Sequence, residues 1–135
     1  MMKTVICYVS TASKELSQAD IASLFKTVRQ KNDTMGVTGI LMFSEGNFFQ
    51  IMEGEHETII HLFNRIKLDS RHYNIIKILE KPIDNPYFDH YYSGFTTISN
   101  HEERHRLQNF LDNEKDVNPD SYKSISYLAQ KFISN

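Results

Sequence analysis

Tryptophan is absent from the 135 residues, and cysteine occurs once, at Cys7. A lone thiol excludes an internal disulfide and a thiolate metal cluster, and it makes a reducing cytoplasm the default compartment. Neither sign of charge dominates: 15 Lys and Arg stand against 17 Asp and Glu, for a formal net charge of -2 and no basic run. That balance leaves no electrostatic footprint for nucleic acid or for an anionic membrane. The longest apolar stretches, such as Val37 to Phe43, are far too short for a membrane span. Met1-Met2-Lys3 leads into only a strand's worth of apolar residues, so no signal peptide is expected. What is present is ordinary globular material, 40% hydrophobic and 24% charged. At this length it suffices for one hydrophobic core and not for two.

Six histidines raise the question of a metal. His56 and His61 are five apart and His101 and His105 four apart, but no third ligand accompanies the second pair. They are read as solvated helix positions, and no metal is expected.

Lys3 to Ser10 is rich in β-branched and aromatic residues and predicts a buried strand. Ser17, three residues before Asp20, is a helix N-cap signal. Behind it Ile21, Leu24, Phe25 and Val28 recur at i, i+3, i+4 and i+7, predicting an amphipathic helix over 17–32. Two strands follow, Val37 to Ser44 and Asn47 to Glu53, joined by Glu45-Gly46, a hairpin signal, with Gly54 closing the pair. Ile59, Leu62, Phe63 and Ile66 mark a second helix, Ile75 to Leu79 a fourth strand, Pro82 and Pro86 a loop, and Tyr91 to Ile98 a fifth strand. The order β-α-β-β-α-β-β is an α+β, ferredoxin-like plan: a mixed sheet with two helices on one face. Residues 99–135 change character. Leu107, Phe110 and Leu111, then Asn118-Pro119 followed by Ile125, Leu128, Ala129 and Phe132, predict two terminal helices. These are expected to cap the other sheet face, within the same structural unit as a domain over 1–98.

Strand side chains alternate, so Ile6, Tyr8 and Ser10 share one face of the first strand, and Phe48, Gln50 and Met52 one face of the third. If both sets look toward the helices, a phenol and a primary amide lie beneath the cleft between them, with Asn32 at the end of the first helix in reach. Singly these are ordinary buried polar groups. Together in one apolar cleft they fit the polar contacts of a planar heteroaromatic ligand.

Four blocks then stand in register: Tyr8-Val9-Ser10; Asn32-Asp33-Thr34-Met35-Gly36-Val37-Thr38-Gly39-Ile40-Leu41; Gly46-Asn47-Phe48-Phe49-Gln50-Ile51-Met52-Glu53-Gly54; and Asp69-Ser70-Arg71-His72. In order and spacing they resemble the BLUF family of flavin-binding blue-light sensors, over about residues 2 to 98. With its short tail the whole chain is similar to the stand-alone members of that family. The resemblance implies a non-covalent flavin, usually FAD with FMN or riboflavin as alternatives, and a signalling rather than an enzymatic role. It implies that Tyr8 is the electron donor, that Gln50 is the hydrogen-bond switch, and that Asn32 pins the pyrimidine edge of the ring. Leu24, Phe25 and Ile66 are implied as apolar walls, and Arg29, Arg65, Asp69, Arg71 and His72 as further cofactor contacts. Output is implied to pass to a downstream signalling partner, and homo-oligomers are common in the family.

The chain departs from the family pattern at two positions. The usual Trp-x-Met-Gly-Phe of the fifth strand reads Tyr91-Tyr92-Ser93-Gly94-Phe95. Tyr91 and Ser93 therefore stand where the pattern has its relay residues. Two rival readings belong to other classes. One is a flavin-free, degenerate BLUF-like interaction module. The other is an acylphosphatase-like enzyme using Arg29 and Asn32, against which stands the lack of a Gly-rich loop presenting backbone amides to phosphate.

Overall fold

Residues 2–88, 94–117 and 125–134 are described by a computed structural model. Local chemistry explains where its elements begin and end. β1 (Lys3–Ala12) is a ten-residue strand. α1 (Gln18–Thr34) starts at a capping box in which the Ser17 hydroxyl accepts from the Asp20 amide and the Asp20 carboxylate accepts from the Ser17 amide. It closes at Met35, and Gly36 then takes a positive φ of 71°. β2 (Thr38–Ser44) and β3 (Asn47–Glu55) are joined by Glu45 and Gly46, whose φ values of 52° and 81° are those of a type I′ turn. α2 (His56–Ile66) and β4 (His72–Ile83) follow.

These elements, with β5 (Phe95–Ile98), form a five-stranded mixed sheet of order β4-β1-β3-β2-β5. Its first four strands have the predicted ferredoxin-like arrangement. β1 lies antiparallel to both β3 and β4, and β2 antiparallel to β3. Ile6, Tyr8, Phe48 and Met52 from the strands pack in one core with Phe25 of α1 and Ile59 and Phe63 of α2. Both helices therefore cover the face that carries Tyr8.

Several boundaries differ from the sequence reading: β1 runs to Ala12, α1 to Thr34, and β4 begins at His72. β3 continues through Gly54 rather than ending before it. β4 runs to Ile83 and includes Pro82, predicted as loop. β4 is an edge strand, and on an edge the missing proline N–H interrupts no ladder if it faces outward. Of the predicted fifth strand, Phe95–Ile98 is observed, and 91–93 lie outside the described residues.

Gly39 is required by a close approach. Its φ is +136°, and a Cβ there would meet the Ile51 carbonyl oxygen at 1.9 Å. Gly39→Ala is expected to destabilise the fold by at least about 3 kcal/mol, from backbone strain combined with overpacking. A denaturant melt of the two proteins checks this.

The chain divides into two compact units, Met1–Thr97 and Ile98–Asn135. The second contains α3 (His101–Val117) and α4 (Tyr127–Ser134). α3 is longer than its apolar stripe alone predicts, because Asn100 caps it through the Glu103 amide at 2.8 Å. Asn118-Pro119, the predicted start of the last helix, lies outside the described residues.

Candidate functional site

In the β1–β3 ladder Tyr8 and Gln50 are direct partners across the strands. Because both side chains point to the helix face, Gln50 Nε2 donates to the Tyr8 hydroxyl at 2.6 Å. Tyr8 also packs on Phe63 and edge-on to His72. Burial pushes the Tyr8 phenol well above its ordinary pKa, only partly opposed by the Gln50 hydrogen bond. The phenol is thus neutral at physiological pH, and an electron can leave it cheaply only if its proton moves too. Cys7 points to the opposite sheet face, where burial pushes its thiol up to about 12 and keeps it inert.

Above this pair lies a cavity of about 500 Å³, within the size range of small-molecule sites. Tyr8, Leu24, Asn32, Gln50, Arg65, Ile66, Asp69, Arg71 and His72 line it. Phe25 and Arg29 are not among the lining residues: Phe25 is in the core, and Arg29 is exposed. One step past Val28 turns Arg29 about 100° round the helix, away from the row Leu24, Val28 and Lys31 that borders the cavity. Sequence reasoning missed Lys31, Met35, Leu41, Phe48 and Leu62, which also line it. The helical spacing from Leu24 was the available signal for Lys31 and Met35, as was strand alternation from Gln50 for Phe48 and the i, i+4 step to Ile66 for Leu62.

Two polar atoms of this cavity's residues have no partner. Asn32 Nδ2 and Gln50 Oε1 are buried without a hydrogen bond, on residues only 2% and 3% exposed. Leaving each unmet costs about 1–3 kcal/mol, so the site is built for a ligand that offers an acceptor to Asn32 and a donor to Gln50. The edge of a flavin ring, with carbonyls and an N–H side by side, meets both demands between apolar walls.

The rim is organised by charge. Asp69 Oδ1 accepts from the Arg71 backbone N–H and Nε, both at 3.0 Å, and Oδ2 accepts from Nη2 at 2.5 Å. This pairing holds the Asp69 carboxyl below its usual range. The pair is partly exposed, so it is worth less than about 1 kcal/mol and serves chiefly to fix the 69–71 turn. His72 then bridges α2 and β1. Its Nε2 lies 2.8 Å from the Ile66 carbonyl, which requires an N–H there, and its Nδ1 lies 2.7 Å from Ser10 Oγ.

Comparison with known proteins agrees with this geometry. Residues 3–94 match the profile of the BLUF family, described as sensors of blue-light using FAD, and the chain belongs to that family. It is accordingly a flavin-based blue-light sensor domain, not a catalytic one. A photoactivated adenylate cyclase subunit beta from Euglena gracilis is 29% identical over 131 residues, covering 97% of this chain and 14% of that protein. Among solved structures, BlsA in its ground state has a TM-score of 0.65 at 29% identity, covering 78% of this chain and 70% of that one. BlrP1 of Klebsiella pneumoniae, solved with FMN and cyclic diGMP, has a TM-score of 0.64 at 28% identity, over 73% of this chain and 26% of that one. The chain spans between 8% and 14% of the length of the first curated relatives it matches. Among the described residues no helix is long and apolar enough to cross a membrane.

Proposed function

We propose that residues 1–98 hold a flavin in the Tyr8–Gln50–Asn32 cavity and report blue light by reversing the Gln50 amide, followed by the two-helix segment 99–135. The observation that carries this reading is the pair of unpartnered buried atoms, Asn32 Nδ2 and Gln50 Oε1, on residues of one cavity. A bound flavin supplies a light-excited ring that can accept an electron and return it. The chain's own groups do the rest. Tyr8 is the electron donor; its oxygen accepts from Gln50 Nε2, so its own proton passes to Gln50 only when the amide turns Oε1 toward it.

The Gln50 amide nitrogen and oxygen are nearly the same size. Reversal therefore leaves packing unchanged while replacing an acceptor with a donor on the cavity side and converting Tyr8 from acceptor to donor. Asn32 holds the ring edge, and Leu24 and Ile66 exclude water. Asp69, Arg71 and His72 shape the rim, where Lys31 and Arg65 offer positive charge to the phosphate of FMN or FAD. FAD is our first choice, because the family is defined by it. The signal passes to a downstream signalling partner in the cytoplasm.

Purified protein is expected to be yellow, or to become so when reconstituted with FAD, FMN or riboflavin. At a hundredfold excess over Kd, ligand should stabilise it by about 2.7 kcal/mol, raising Tm by several degrees. Asn32→Ala should weaken binding about tenfold or more. A colourless protein whose Tm ignores all three flavins contradicts the reading and leaves the flavin-free interaction module in its place.

A further inference from the structure

The end of α1 faces two ways. Asn32 lines the cavity with an unpartnered Nδ2, while the next residue, Asp33, is not among the lining residues. The Asp33 carboxylate instead reaches the start of β5, where Oδ1 accepts from the Phe95 backbone N–H at 2.6 Å. The backbone presses close at this point, since a Cβ on Gly94 would lie 2.4 Å from the same oxygen. A carboxylate in the last turn of a helix is disfavoured by the helix dipole. The Phe95 amide is the partner that offsets this placement.

The turn is also stiff. The Asn32 carbonyl accepts from the Met35 and Val37 amides, and the Asp33 carbonyl from the Gly36 amide. Asn32 and Asp33 thus move as one piece. β5 lies at the sheet edge beside β2, and the chain passes from the first compact unit into the second within it, between Thr97 and Ile98.

We propose that Asp33 is a positioning residue that couples engagement of Asn32 in the cavity to the hold on the start of β5. The inference rests on the flavin reading of the cavity. A ring edge that pins Asn32 settles the helix end and tightens the Asp33–Phe95 clasp; a change at the ring edge loosens it. This path begins at Asn32 rather than Gln50, and it passes through neither Tyr91 nor Ser93. It gives the pocket a mechanical route to the connection between the two units.

Hydrogen exchange of the Phe95 amide, measured on the full chain with and without FMN and in dark and blue light, tests this. In the wild type, FMN should slow exchange at least about fivefold, and light should reverse part of that gain. Asp33→Ala should still take up FMN and still red-shift in light, yet lose the FMN- and light-dependent difference at Phe95. By reciprocity its FMN affinity should fall by the same factor. Asp33→Asn keeps an acceptor oxygen and should restore the difference. Gly94→Ala, which leaves Asp33 in place but crowds its carboxylate, should reproduce the loss and stands in if Asp33→Ala fails to fold. An Asp33→Ala protein with the wild-type difference at Phe95 overturns the inference, as does a yellow wild type showing no difference. If the wild type takes up no FMN the comparison is made with FAD or riboflavin; a wild type that takes up none of the three overturns the flavin reading together with this one, and its lack of colour tells the two failures apart.

Discussion

Replacing Gln50 with leucine should leave a yellow protein that no longer red-shifts in blue light. The substitution keeps roughly the volume of the side chain and removes both ends of the amide. In the ligand-free protein the two consequences for stability oppose each other. Tyr8 loses the hydrogen bond from Nε2, which costs about 1–3 kcal/mol for a buried hydroxyl left unmet. The unpartnered Oε1 disappears at the same time, relieving a penalty of similar size. Stability without flavin should therefore stay within about 2 kcal/mol of the wild type, whereas the photoresponse falls at least about a hundredfold. An amide is the one neutral side-chain group that carries a strong donor and a strong acceptor on one carbon, and no rotation of leucine can exchange them. Light-minus-dark absorbance of the reconstituted variant is the measurement. A wild-type red shift would remove Gln50 as the switch.

The second large effect belongs to Tyr8→Phe. The phenyl ring retains the contacts with Phe63 and His72, so the cavity keeps its shape. What is lost is the hydroxyl that accepts from Gln50 and the ease of oxidation that goes with a phenol. Tyr8 is the one tyrosine among the described residues lining the cavity. The yield of the signalling state should accordingly drop at least about tenfold. Transient absorption reads it directly. An unimpaired yield contradicts the assignment of Tyr8 as donor and turns attention to Tyr91.

Much of the site was legible because the information is local. Alternation along β1 and β3 puts Tyr8 and Gln50 on the same sheet face, and Ser17 with Asp20 announces the helix that carries Asn32. Alternation assigns a face but not a register. That Tyr8 sits opposite Gln50 follows from a pairing across 42 residues, set by how β1 slots between β3 and β4. The length of β4 was illegible for a related reason. An edge strand with Tyr73, Ile76 and Ile78 left exposed shows no clean inside–outside pattern, and Pro82 looked like an ending. The resemblance implies a cofactor contact at Arg29, which lies exposed, while the helix turn brings Lys31 to the cavity wall instead. The Asp33–Phe95 clasp spans 62 residues, and no local pattern in either segment announces it.

The central claim is that light reverses a hydrogen-bond pattern around a bound flavin and leaves its oxidation state unchanged. The most direct test is the visible absorption spectrum of the flavin-loaded protein before, during and after blue light. The account predicts a red shift of the flavin band without loss of its area, returning fully in the dark. Bleaching of the band, which signals net reduction, or a spectrum that light does not move, would contradict it.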